Sequence, residues 1–120
     1  EYQSWYENGN LGVVCTIVDG KRNGEFKSWF KNGQLDVHTS LVDDKKNGEY
    51  KQWHENGQLR THCTYVDDEE TGEYTSWHEN GQIHAQRTYI EGELHGEYKV
   101  WTDDGKLAFL RMYVDGRIVQ

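Results

Sequence analysis

The sequence predicts an all-β protein: an elongated, single-layer antiparallel sheet, open at both ends and built from five β-hairpins. The first observation is a strict period of 24 residues, which places one tryptophan in each unit: Trp5, Trp29, Trp53, Trp77 and Trp101. The second is a tight-turn dipeptide after each tryptophan, Asn-Gly four times and Asp104-Gly105 in the last unit. The third is the absence of proline, which leaves every backbone N–H free to join a sheet. A fixed period of this length indicates a repeat architecture.

The period divides the chain into one array of five units without insertions, residues 1–24, 25–48, 49–72, 73–96 and 97–120. In the third unit, the aromatic-rich segment Glu49–His54 predicts a first strand, and Leu59–Val66 predicts a longer second strand. Asn56-Gly57 between them is a strong signal for a hairpin turn, and Asp67–Gly72 is expected to return the chain to the next unit. Loops this short force antiparallel neighbours, so we expect a meander of about ten strands.

The turn type decides which side chains share a face of the sheet, and two types fit the sequence. A two-residue type I′ turn at Asn56-Gly57 would put the first-strand tyrosines beneath Leu59 and leave Trp53 on the other face. A three-residue turn, Glu55-Asn56-Gly57, with glycine in the left-handed region and a bulge, would place Trp53 opposite Leu59. We favour the second because it joins the two most regular apolar columns, tryptophan on one strand and leucine or isoleucine on the other.

Charge and cysteine content narrow the class of partner and the compartment. The formal net charge is −8, which disfavours nucleic acid and anionic membranes because both are bound through Lys and Arg. Cys15 and Cys63 occupy the same phase two units apart, a separation of ~20 Å that is beyond the reach of a disulfide. We therefore expect two free thiols, which favour a reducing compartment and so an intracellular location.

The sequence carries no recognisable catalytic or cofactor motif. Glutamate opens every unit, but no acidic spacing resembles a calcium-binding loop, so these residues are expected to be solvated surface charges. His54 and His78 share a column, yet neighbours in a column stand about 10 Å apart, too far to bind one zinc ion together. There is no nucleophile elbow and no phosphate-binding glycine loop, and a single-layer sheet offers no deep cleft. We expect no enzyme activity, no metal and no cofactor.

The second strand of the fifth unit, Leu107–Val114, departs from the pattern. Earlier units mix polar residues such as Asp36 and His38 into this strand, whereas here both faces are largely apolar, a pattern typical of a strand covered on both sides. Either the tail Ile118-Val119, or residues beyond it, folds over this end as a cap, or another protein or a second copy binds a face or the open edge. The candidate protein-binding residues are the five tryptophans together with Phe109, Leu110 and Met112.

The repeated pattern resembles a known family. Four units read Gly-Glu-aromatic, two residues, Trp, two residues, Asn-Gly or Asp-Gly, one residue, then Leu or Ile, followed later by Asp-Gly, Asp-Asp or Glu-Gly. The first unit has the same pattern from Glu1-Tyr2 onwards. This is similar to the variant MORN repeat (membrane occupation and recognition nexus), over all 120 residues. The resemblance implies a non-enzymatic protein-interaction module or structural scaffold. The chain departs from the more widespread MORN form linked to phospholipids, and its acidity argues further against membrane binding.

The resemblance leaves three narrower roles open. Variant repeats of this kind occur in large DNA viruses of amoebae, in bacterial surface proteins and in antitoxin-like proteins. The chain is therefore expected to be a virion-associated or assembly component, an antitoxin-like protein that neutralises a cognate toxin by binding it, or a regulatory segment of a larger enzyme. In each case the partner is another protein, and self-association through the C-terminal hairpin or the open sheet edge is one form of that interaction.

Overall fold

A computed structural model describes residues 1–119, and over that range all regular secondary structure is β-strand. Twelve strands form one antiparallel sheet in which neighbours in sequence are neighbours in space. β9 and β10 are two parts of one strand along β8, interrupted at His95, so the topology is a meander and the predicted all-β open repeat sheet is confirmed. The strands are β1 (Tyr2–Trp5), β2 (Leu11–Val18), β3 (Lys21–Trp29), β4 (Leu35–Val42), β5 (Lys45–Trp53), β6 (Leu59–Val66), β7 (Glu69–Trp77), β8 (Ile83–Ile90), β9 (Glu93–Leu94), β10 (Gly96–Trp101), β11 (Leu107–Val114) and β12 (Arg117–Ile118).

The sheet is long and thin. Its principal extents are 48 × 34 × 14 Å. The long axis equals about ten steps of the ~4.8 Å spacing between strands, which is the length of eleven strands laid side by side without closure. In the described part of the chain no large side chain is fully buried. The fold therefore has two open faces instead of an enclosed interior.

The turn after each tryptophan is the favoured three-residue type. In the third unit the His54 N–H donates to the Gln58 carbonyl at 2.8 Å, and the Gly57 N–H donates to the His54 carbonyl at 2.9 Å. Gly57 has a φ of 90°, which is the left-handed region that glycine occupies without strain. Because this turn pairs His54 with Gln58, Trp53 lies opposite Leu59, and the predicted sharing of one face is confirmed. A bulge between Gln52 and Trp53 then shifts the register of the remaining pairs.

The return turns are shorter than expected. Asp43 and Asp44 alone connect β4 to β5, and both have positive φ, 49° and 68°, as a two-residue type I′ turn requires. Aspartate is among the few residues other than glycine that tolerate this region. The expectation that Asp67–Gly72 would return the chain was therefore too broad, since Glu69 already begins β7. The type I′ turn therefore occurs in this protein at return turns such as Asp43-Asp44, and not at Asn56-Gly57.

In three of the units, the residue after the tryptophan ties its unit to the next one. The Tyr6 hydroxyl donates to the carbonyl of Trp29 at 2.6 Å. His54 Nε2 lies 2.8 Å from the carbonyl of Trp77 and must carry the hydrogen, because a carbonyl oxygen only accepts. His78 makes the same bond to the next unit. Phe30 occupies this position in the second unit and has no donor, so the link to the third unit lacks this bond.

Restoring the missing bond should stabilise the array. We expect Phe30→Tyr to raise the free energy of unfolding by about 0.5–1.5 kcal/mol, because the new hydroxyl would reach the Trp53 carbonyl as Tyr6 reaches Trp29. Tyr6→Phe is the reverse change and should lower it by a similar amount. Urea denaturation followed by tryptophan fluorescence measures both. Midpoints that move in the same direction would contradict this account of the link.

Candidate interaction surfaces

One face of the sheet, here called the Trp face, carries the tryptophan column. Each tryptophan lies opposite an aliphatic residue of the same hairpin, so the two columns form one band beside the Asn-Gly turns. Trp5 is 60% exposed and the other four tryptophans are half-buried. The structure thus brings the predicted tryptophans together with the aliphatic column, namely Leu11, Leu35, Leu59, Ile83 and Leu107.

The rest of the Trp face is charged. His38 Nε2 lies 3.6 Å from a carboxylate oxygen of Glu25, and the equivalent His62 lies 3.7 Å from Glu49. These side chains are exposed, and ion pairs in such positions contribute little to stability. The Trp face is therefore amphipathic, with an apolar band along the Asn-Gly turns and a band of mixed charge across the middle of the strands.

The opposite face, here called the Tyr face, is the better packed of the two. It carries an aromatic column on the first strand of each hairpin, and small residues lie between these rings. Cys63, directly opposite Tyr50, is 3% exposed, and Ala85, opposite Ser76, is 1% exposed. The packing of this face was not predicted from the sequence. The signal was present, because the aromatic residue of each Gly-Glu-aromatic motif recurs with the tryptophan period: Phe26, Tyr50, Tyr74 and Tyr98.

Lysine and arginine side chains of the same chain lie over aromatic rings of the Tyr face. The Lys46 ammonium lies 5.1 Å and 4.8 Å from the ring centroids of Tyr50 and Tyr65. The Arg87 guanidinium lies 3.6 Å from the ring centroid of Tyr74, and its Nε donates to the Tyr89 hydroxyl at 2.8 Å. Contacts of this kind stabilise by about 0.5–2 kcal/mol each. These rings therefore already have partners within the chain, unlike the exposed members of the Trp face.

Both cysteines are buried and free, as predicted. Burial raises the pKa of the Cys63 thiol to about 11, with the nearby Glu70 carboxylate adding to the shift. Burial is also the largest cause of the raised pKa of Tyr65, followed by the charge of Glu70. The Cys63 thiol therefore stays protonated near neutral pH and is a poor nucleophile there, because the thiolate is the reactive form.

The structure divides the predicted apolar residues of the fifth unit between the two faces. Phe109 pairs with Val100 on the Tyr face, where its ring lies 5.4 Å from that of Tyr98. Leu110 and Met112 lie on the Trp face with Trp101, and Leu110 is 41% exposed. Among the three, Phe109 is therefore part of the packed face, and Leu110 and Met112 extend the band of the Trp face.

The C-terminal tail does not cover either face. It forms β12, which pairs with β11 only at Tyr113 and Val114, and the Val119 N–H donates to the Met112 carbonyl at 2.8 Å. Ile118 and Val119 themselves remain exposed. The alternative in which this tail folds over the end as a cap is therefore wrong, because the tail extends the sheet edge instead. Within the described residues, the edge of β11 from Leu107 to Arg111 has no strand beside it.

Two histidines lie close together in the fourth hairpin. The rings of His78 and His84 lie 4.7 Å apart, and His84 Nδ1 is 3.0 Å from the Ser76 hydroxyl. Burial lowers the pKa of His84, and the neighbouring His78 adds to the shift. Among residues 1–119, no three His, Cys, Asp or Glu side chains are grouped so that they could hold a metal ion. No helix in that range has the length and hydropathy to cross a bilayer.

Comparisons with known proteins agree with this repeat geometry. The profile of one repeat family, described as the MORN repeat variant, matches residues 22–42, 46–67, 70–91 and 94–115. The four matches cover more than half of the chain and begin 24 residues apart. Each spans most or all of a first strand, the Asn-Gly or Asp-Gly turn and the second strand, and most of the first predicted unit lies before the first match. No curated protein gives a significant match to the sequence.

The raised pKa of Cys63 predicts a loss of stability at alkaline pH. The thiol ionises near its ordinary pKa of 9.0 in the unfolded chain but only near 11 in the folded chain. Its contribution is therefore complete below about pH 9 and is lost as the pH rises towards about 11. We expect urea titrations to show that the wild type loses more stability over this window than Cys63→Ala, which has no thiol to ionise at this position. A difference between the two proteins that stays constant with pH would refute this assignment.

Proposed function

Because the chain belongs to the MORN repeat variant family, we propose that it is a non-enzymatic module that binds other proteins through its Trp face. Repeats of this family are generally associated with protein or membrane interaction. The observation that carries the proposal is the apolar band of the Trp face, which runs past all five hairpins and includes the exposed Trp5 and Leu110. Contiguous apolar surface of this kind marks interaction sites in soluble proteins.

The two faces support different roles. On the Tyr face, small residues fill the spaces between the rings, and Lys46 and Arg87 lie over them. That face therefore serves mainly to hold the array together. On the Trp face the aromatic rings are large, amphipathic and open on one side, which is the form in which tryptophan contributes most to protein interfaces. A partner that covers this band would remove the apolar surface from water.

The charge of the chain favours a protein partner over a membrane. The net charge is −8, and an anionic lipid surface would repel it. Glu25 and Glu49 stand beside the apolar band on the Trp face, where they would attract basic side chains at the rim of an interface. We therefore expect a partner whose contact surface combines apolar residues with Lys or Arg.

The narrower roles differ only in the partner. A virion-associated or assembly component, an antitoxin-like protein and a regulatory segment of an enzyme would each hold a protein against the same surface. Self-association is the case in which that protein is a second copy, and the edge of β11 from Leu107 to Arg111 is a place where another strand could add. The same variants therefore test all of these roles.

A matched pair of double variants tests the Trp face. Leu107→Ser with Leu110→Ser removes exposed apolar side chains from the Trp face, and Ile17→Ser with Ile118→Ser removes similar ones from the Tyr face. Leu110 and Ile17 are 41% and 42% exposed, so neither double variant should unfold the array. We expect the first to weaken partner binding by roughly tenfold or more, equivalent to ~1.4 kcal/mol, and the second to leave it unchanged.

The readout is quantitative affinity capture, followed by titration of each captured protein against the purified variants. Thermal unfolding of both variants verifies that they remain folded. Partners lost equally from the two double variants, or retained by both, would contradict binding through the Trp face. Size-exclusion chromatography with light scattering of the same proteins reports whether the partner is a second copy.

A further inference from the structure

Each Asn-Gly turn is fastened to the following unit by its asparagine side chain. Asn56 Nδ2 donates to the carbonyl of Glu79 in the next unit at 2.7 Å, and its Oδ1 accepts the backbone N–H of Gln58 at 2.9 Å. This uses the side chain as both donor and acceptor. The same pair of bonds is made by Asn8, Asn32 and Asn80, whose Nδ2 atoms donate to the carbonyls of Lys31, Glu55 and Asp103.

The dipeptide Asn-Gly is also chemically reactive. The backbone nitrogen of Gly57 can attack Cγ of Asn56, because glycine has no side chain to hinder the approach. A bond forms between that nitrogen and Cγ, the bond from Cγ to Nδ2 breaks, and the nitrogen's proton leaves with the amide as ammonia. Water then opens the resulting succinimide at either carbonyl and yields aspartate or isoaspartate. No other reactant is needed.

The folded turn holds three of the atoms that take part in this reaction. The attacking nitrogen of Gly57 donates its hydrogen to the His54 carbonyl at 2.9 Å. The amide oxygen of Asn56 is held by Gln58, and the amide nitrogen, which must leave, is held by the next unit. The first two bonds belong to the turn itself. The third exists only while the following unit is docked, so the neighbour takes part in the protection.

We propose that the four Asn-Gly turns are deamidation sites that the following unit keeps unreactive, and that deamidation of a turn uncouples it from that unit. Aspartate at position 56 could not donate to the Glu79 carbonyl and would place a carboxylate against that oxygen. The new charge would stand next to Glu55 in the sequence and against Glu79 of the following unit. Isoaspartate would in addition lengthen the backbone within a three-residue turn. Each event would therefore weaken one junction between units irreversibly.

The fifth turn is a natural comparison within the same chain. It has the same backbone bonds, from the Thr102 N–H to the Lys106 carbonyl at 2.8 Å and from the Gly105 N–H to the Thr102 carbonyl at 3.0 Å. Its central residue is Asp104, which is the chemical form that deamidation produces. In the described chain this turn has no following unit, and the carboxylate accepts from the Thr102 hydroxyl instead. An aspartate thus stands at the one turn where no donor to a neighbour is used.

The variant Asp104→Asn separates protection by the turn from protection by the neighbour. It creates a fifth Asn-Gly turn whose backbone is the same but whose side chain, within residues 1–119, has no carbonyl of a following unit to bind. After incubation of the folded protein at mildly alkaline pH, peptide mapping by mass spectrometry should show position 104 deamidated roughly two- to tenfold faster than Asn56, the change expected for loss of one net hydrogen bond. In urea the two positions should react at equal rates. Equal rates in the folded protein would overturn the proposal.

A stability measurement tests the second half of the proposal. Asn56→Asp mimics the deamidated product, and it should lower the midpoint of urea unfolding, because it removes the donor to Glu79. Asp104→Asn is the matched control and should leave the midpoint unchanged or raise it slightly, because it removes no contact between units. If Asn56→Asp has no more effect than Asp104→Asn, the asparagine does not couple the units and the proposal fails.

Discussion

The structure depends on hydrogen bonding and packing between neighbouring hairpins, because no hairpin of this sheet has an interior of its own. A two-stranded hairpin is at best marginally stable in water, and here each inner hairpin gains strand partners on both sides. Side-chain hydrogen bonds that recur from unit to unit strengthen this pairing, such as those from His54 to the Trp77 carbonyl and from Asn56 to the Glu79 carbonyl. Stability is therefore shared along the array, and a defect at one junction acts on its neighbours first.

This constraint explains why the two faces differ. A single sheet cannot bury both faces, so one must supply most of the packing. The Tyr face does so with rings that lie over small residues such as Cys63 and Ala85, and with Lys46 and Arg87 placed against the rings. The tryptophans lie on the other side, where the three-residue turn after Trp53 and its equivalents sets each one opposite an aliphatic residue. The face that contributes less to holding the array together is the one left free for a partner.

The same architecture accounts for the kind of function proposed. Enzymes usually place reactive groups in a concave, partly dry site, and a sheet with a 14 Å thin dimension presents extended surfaces instead. The ionisable groups lie in columns set by the repeat, so like groups recur at a distance and do not converge. His78 and His84 are an exception, because His78 directly follows β7 and His84 lies at the bulge in β8 of the same hairpin. An array of repeated columns of this kind suits recognition of a partner protein over a long surface.

The sequence by itself determined the repeat, the antiparallel meander and the free thiols, because period and strand spacing are local properties that recur with every unit. It left two turn types open at Asn56-Gly57 and favoured the three-residue turn. It also placed Trp53 and Leu59 on one face, since the regularity of both columns favoured one register. Only the tertiary structure decided that the Tyr face is the packed one, that Phe109 and Leu110 lie on opposite faces, and that the tail pairs with the edge of β11. These features depend on how bulges shift side chains from face to face and on which neighbours fill the space around each ring. Both are set by contacts between strands, which the pattern of a single unit does not contain.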